Sequence, residues 1–141
     1  MNNKLLMGAL AGAVTSFLLG FLIWGMFLMT WMNGKIMDGF YRAEDDMSGM
    51  WAAILSNLVF GLLYSWVIGK WAGSRDFMSG LKNGAVFGLI LTLGYTLSYV
   101  AWTNYYTETS AMVMEVVVST VMTAICGGVV GWVWGRGQTA E

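Results

Sequence analysis

Apolar residues run almost unbroken through four stretches of the chain: Leu5 to Met32, Met50 to Gly69, Leu81 to Thr103 and Ala111 to Gly135. Within them only Lys82 and Glu115 carry charge. Crossing the hydrocarbon core of a bilayer takes about 20 apolar residues of helix, and each stretch is long enough. The pattern predicts one all-α, integral-membrane domain over 1–141, a four-helix bundle with helices at about 5–32, 50–69, 81–103 and 111–135. The first stretch has the outline of a signal peptide, with Lys4 as its basic start. It is about twice the usual hydrophobic length and no cleavage site follows it, so an uncleaved first helix is expected.

Steps of four along each stretch pick out small residues. The first reads Gly8, Gly12, Ser16, Gly20. The second reads Gly49, Ala53, Asn57, Gly61, Ser65, Gly69, Gly73. The third reads Gly80, Gly84, Gly88, Thr92, Thr96. The fourth reads Glu115, Ser119, Thr123, Gly127, Gly131, Gly135. Residues four apart form a ridge on a helix. In lipid, such small-xxx-small ridges let backbones approach and gain dispersion contacts. Helix-packing seams are therefore expected at Gly12, Gly61, Gly69, Gly84, Gly88, Gly127 and Gly131.

The glycines concentrate toward one end of the ridges. Toward the other end stand Asn57, Thr92, Thr96, Glu115, Ser119 and Thr123, with Trp24, Tyr95, Tyr99 and Trp102 close by in sequence. This gradient predicts helices packed tightly at one end and splayed at the other, around a small polar pocket of Glu115, Asn57, Tyr95, Tyr99 and Ser119. The chain also reads as a doubled hairpin. "GALAGAV" (8–14) aligns with "GLKNGAV" (80–86), and "VIGKWAG" (67–73) with "VVGWVWG" (129–135). The repeat would be parallel, about an axis along the membrane normal.

Charge then orients the spans. Lys4, Lys70, Arg75, Lys82 and Arg136 fall on one side, against Lys35 and Arg42 on the other. By the positive-inside rule both termini are expected in the cytoplasm. Trp31, Trp51, Trp102, Tyr105 and Tyr106 would mark the outer interface, and Trp71, Trp132 and Trp134 the inner one. In "GKIMDGFYR" Ile36, Met37, Phe40 and Tyr41 share a helical face, which predicts a short helix on the outer surface. Asp38, Glu44, Asp45 and Asp46 make the same loop acidic. The run "EDDMSGM" offers caps for the second helix more readily than a divalent-cation site, since it lacks alternating oxygen ligands.

Composition removes most chemistry. Of the residues 57% are hydrophobic and 11% charged, where a soluble protein has about 25% charged. A net charge of −1 leaves no basic footprint for nucleic acid. The chain has no His and one Cys, Cys126, so the usual general base, metal and haem ligands and any internal disulfide are missing. No cofactor and no metal is expected. Ser119, Tyr99, Asp76 and Glu115 form no nucleophile–base constellation, and no enzyme is expected.

The Gly-rich helices and the "GGVVGW" near the end, at residues 127 to 132, resemble small four-helix inner-membrane proteins of bacteria, domains of unknown function. The resemblance implies this fold and a bacterial inner (cytoplasmic) membrane location, and no activity. Small multidrug transporters also have four helices and one membrane carboxylate. Theirs lies in the first helix, where this chain has none.

Two roles for Glu115 stay open: an anchor or cap near the interface, or a protonatable group in the pocket. Association through the seams is the first expected function, as a homo-oligomer or an accessory subunit of a membrane complex. A small oligomeric transporter or channel using Glu115 is the alternative.

Overall fold

The computed structural model describes residues 3–43 and 45–136. Among them are four helices long and apolar enough to cross a membrane: α1 (Asn3–Met32), α2 (Met47–Trp71), α3 (Phe77–Trp102) and α4 (Thr109–Gly135). Each begins two to four residues before its apolar stretch, because polar residues supply the first turn. Asp46 accepts hydrogen bonds from the Ser48 backbone N–H (3.0 Å) and from Arg42 Nη1 (3.0 Å), capping the 3-10 turn that opens α2. Asp76 and Ser79 form a reciprocal capping box at the start of α3. The acidic loop thus contributes a cap through Asp46; Glu44 lies outside the described residues.

The helices pack in the order α2–α1–α4–α3, with the last turns of α2 folding back against α4 and α3. Glycine makes the α3–α4 contact. A Cβ on Gly80 would overlap the backbone carbonyl of Gly127, and one on Gly84 would stand 2.6 Å from Thr123 O and 3.0 Å from Gly127 Cα. A Cβ on Gly88 would stand 2.6 Å from Thr123 Cβ, and one on Gly131 2.9 Å from Gly80 Cα. Between α1 and α2, Gly61 lies on the backbone of Ala9 and Ala13, and a Cβ on Gly12 would stand 3.2 Å from Val130 Cγ2 and 3.4 Å from Gly61 Cα. In the register of the aligned halves, Gly12–Gly61 and Gly84–Thr123 are equivalent contacts.

Gly69 is covered by the Trp134 ring. Trp134 Nε1 donates to Ser65 Oγ (2.9 Å), which donates to Leu5 O (2.9 Å). The Arg75 guanidinium stands 5.0 Å from the Trp134 ring and donates to Gly69 O (2.6 Å). Trp134 is therefore a core residue joining α1, α2 and α4, and not an interface anchor, because its N–H has a buried partner. These contacts tie α1, α2 and α4 together at the end of the bundle where α1 begins and α4 ends.

The ridges fail in two places. The backbone bonds of α1 take the i→i+5 pattern over Gly20–Leu28, and those of α2 over Ser65–Trp71. The wider turn ends the four-residue step of α1 at Gly20. In α2 every residue from Trp51 to Phe60 except Asn57 is exposed. That half of α2 is largely uncovered and borders α1 across an apolar groove.

The expected surface helix after α1 is absent. Gly34 and Gly39 have φ of 77° and 74°, which break a helix. The segment pairs instead with the α3–α4 loop across an antiparallel bridge between Ile36 and Tyr106. Met37 N–H donates to Tyr105 O (2.7 Å) and Thr107 N–H to Lys35 O (3.0 Å). Leu28, Met32, Ile36, Tyr105 and Ala111 make a second apolar core beneath this bridge.

Gly80→Val places a methyl against backbone that cannot rotate aside, and should cost at least about 1–3 kcal/mol. Gly94, with nothing within 4 Å of an added Cβ, should take Val with a change below about 1 kcal/mol. Thermal unfolding in detergent compares them, and equal midpoints for the two variants would contradict the seam.

Candidate functional site

The bridged loops roof a cavity at the open end of the bundle. Its volume is about 320 Å³, and its walls are Phe40, Tyr41, Tyr95, Tyr99, Tyr105 and Glu115. Each part has a local cause. Gly39 turns the first loop so that Phe40 and Tyr41 follow the bridge. Tyr95 and Tyr99 lie four apart on α3 and share a face. Glu115 sits six residues into α4, ~9 Å along its axis.

Glu115 is 7% exposed and lines the cavity. The Tyr106 hydroxyl donates to its Oε2 at 2.6 Å. That length is typical of a hydroxyl on a carboxylate, among the stronger protein hydrogen bonds. No described lysine or arginine forms an ion pair with Glu115. Lys35, the basic residue of the bridge, donates instead to Trp31 O (3.1 Å) and lies over the Trp31 ring at 4.7 Å. The acid is thus buried with one phenol donor and no counter-charge.

The aromatic walls brace one another. Ring centroids are 4.4 Å apart for Phe40–Tyr105, 5.3 Å for Tyr99–Tyr105 and 4.6 Å for Tyr105–Tyr106. These are the tilted and edge-to-face spacings that aromatic pairs favour. The Tyr41 and Tyr105 hydroxyls share a 2.8 Å hydrogen bond, and Tyr95 donates to Ser119 Oγ at 3.4 Å. Burial pushes the Tyr105 and Tyr106 phenols well above the ordinary tyrosine range, and the bond from Tyr106 to Glu115 adds to its rise. Both remain protonated at neutral pH, so Tyr106 keeps its proton for Glu115.

Tyr95 also separates this cavity from a smaller one of about 130 Å³ between the helices, bordered by Trp24, Tyr64, Ser119, Thr123 and Cys126 among others. Thr96 is 1% exposed and its Oγ1 has no hydrogen-bond partner among the described residues; it lies beside Tyr106.

Of the five expected pocket residues, the fold brings together Glu115, Tyr95 and Tyr99, with Ser119 behind Tyr95. Asn57 is elsewhere. It donates to Ala53 O (2.8 Å) on its own helix and lines an apolar groove between α1 and α2, with Ala13, Phe17 and Ile54. Tyr105, 3% exposed, and Tyr106 were expected as interface anchors and are instead a wall and the donor to the acid. Trp102, 86% exposed, stays outside the site. Phe40, Tyr41, Tyr105 and Tyr106 were not among the expected pocket residues. The signal was the pairing of "GFY" in one loop with "NYY" in the other, both on the same side of the spans.

Comparison of the chain with family models, curated proteins and solved structures gives no match.

Tyr106→Phe removes the one donor to a buried acceptor and should destabilise the fold by about 1–3 kcal/mol. Glu115→Gln keeps an acceptor for Tyr106 and should cost less. Thermal midpoints in detergent give the order, and its reversal would place the bond outside the stabilising core.

Proposed function

We propose that this is an integral membrane protein, with both termini in the cytoplasm, that binds a small ligand from the outer side in the cavity at Glu115. The carrying observation is the acid itself. A carboxylate placed inside a membrane helix is costly, and this one is buried in an aromatic box without a counter-charge. An anchoring acid would reach for water or headgroups, whereas Glu115 is held beneath a loop roof by Tyr106. The charge imbalance of the loops supports the orientation, in which the cavity mouth would face outside.

The opposite end bears on how such a protein works. The α3–α4 seam and the Trp134–Ser65–Leu5 contacts pack the helices closely at the end of the bundle away from the cavity. This favours a binding protein over a continuous channel. Transport would require the seam to open.

Labelling tests the reading. With Cys126 replaced by Ser, Tyr99→Cys should react with a membrane-impermeant maleimide added outside intact cells. It should not react when the reagent meets only the cytoplasmic face. Reaction from the cytoplasmic face alone, or from neither, would defeat it.

Association, the first expectation from sequence, keeps one specific support. Asn57 is a half-buried carboxamide in the otherwise exposed part of α2, bonded only within its own helix. In lipid such a side chain favours a hydrogen-bonding partner helix, typically by about 1 kcal/mol. A second copy of the chain meeting at α2 would supply one. Asn57→Leu should then shift sedimentation in detergent toward monomer; an unchanged mass distribution would remove this reading.

A further inference from the structure

The lining of the cavity selects among ligands, and the selection rests on the reading of the cavity as an outward ligand site. Its walls are five aromatic rings and one carboxylate, and it presents no basic group. An anion would meet Glu115 and the negative faces of the rings. A neutral apolar molecule would leave Glu115 without a partner beyond Tyr106. A small inorganic cation needs about six or more oxygen ligands. One carboxylate does not approach that, and no cluster of three or more metal-ligating side chains occurs among the described residues.

The state of the hydroxyls narrows the class further. Those of Tyr41 and Tyr105 bind each other, that of Tyr95 binds Ser119, and that of Tyr106 binds Glu115. Only the Tyr99 hydroxyl among the lining tyrosines has no hydrogen-bond partner among the described residues, so the walls offer the ligand ring faces more than free hydrogen-bonding groups. A cation carrying three N–H bonds would need acceptors beyond the second oxygen of Glu115 and the Tyr99 hydroxyl. A cation with no N–H needs only π-faces and one opposite charge. Rings that brace each other at 4.4–5.3 Å, as Phe40, Tyr105 and Tyr99 do, hold such faces in place before binding. Aromatic cages bind quaternary ammonium groups by this attraction. A volume of about 320 Å³ admits a head group of that size with a short substituent.

We infer that the site binds a quaternary ammonium compound, with Phe40, Tyr99 and Tyr105 as the cage and Glu115 as the counter-charge. Tyr106 acts as a positioning residue that fixes the carboxylate.

Calorimetric titration of the full chain in lipid nanodiscs tests this with choline and with its uncharged isostere, in which carbon replaces nitrogen. Choline should bind at least ~10-fold more tightly than the isostere. Glu115→Gln, which keeps the acceptor for Tyr106, should weaken choline by a similar factor. Tyr99→Ala should weaken it several-fold, and Tyr99→Phe should leave it unchanged, since only the ring face is used. Circular dichroism confirms that each variant is folded. Equal binding of choline and isostere, an unchanged affinity in Glu115→Gln, or equal losses in Tyr99→Phe and Tyr99→Ala would each overturn the inference. Absence of choline binding by a protein that is labelled from outside at position 99 overturns the ligand class alone. Failure of that labelling overturns the site.

Discussion

The absence of side-chain atoms along one line of α3 and α4 is the constraint from which the rest follows. Gly80, Gly84, Gly127 and Gly131 let two backbones meet where a single Cβ would collide with a carbonyl or a Cα. In the apolar interior of a membrane, which these four helices are long and apolar enough to cross, burial of apolar surface would give no advantage, and attraction would come from close atomic contact, which grows as the axes approach. The paired helices then form a fixed wall. α1 leans on it through Gly12 against Val130, and the end of α2 through Gly69 against Trp134.

That wall packs the end of the bundle where α1 begins and α4 ends, and the opposite end is built by different means. Ridge residues there gain side chains, from Thr92 and Thr96 on α3 to Thr123, Ser119 and Glu115 on α4, and α2 is largely exposed before Gly61. The gap is roofed by backbone hydrogen bonds between two loops, with Ile36 opposite Tyr106. One bridge does three things at once. It pairs polar backbone groups that would otherwise need other partners, sets Ile36 and Tyr105 into a small apolar core, and aims Tyr106 at Glu115.

The site is therefore a junction between a rigid part and an assembled part. Glu115, Tyr95 and Tyr99 stand on helices fixed by the glycine seam. Phe40, Tyr41, Tyr105 and Tyr106 come from loops that depend on the bridge. A ligand held between them would couple loop closure to occupancy of the acid. The i→i+5 turns of α1 lie at the level of the smaller cavity, where Trp24 borders the space under Tyr95.

Sequence by itself determined the elements and the seams. Hydropathy marks four spans because an apolar stretch of that length has few other stable surroundings. Four-residue spacing marks the contact faces because helix geometry repeats there regardless of what the helix meets. It also placed Glu115, Tyr95, Tyr99 and Ser119 at one end, since depth along a helix is linear in residue number. Which side chains share a cavity depended on tertiary structure. Asn57 has the right depth and the wrong place, because helical spacing does not show that it lines the groove between α1 and α2. Tyr106 looked like an interface anchor, because nothing local announces that its loop pairs with another some 70 residues earlier, Ile36 lying opposite Tyr106. Helix faces are written in local periodicity; a pairing of two loops is a long-range choice, fixed only when the helices between them have packed.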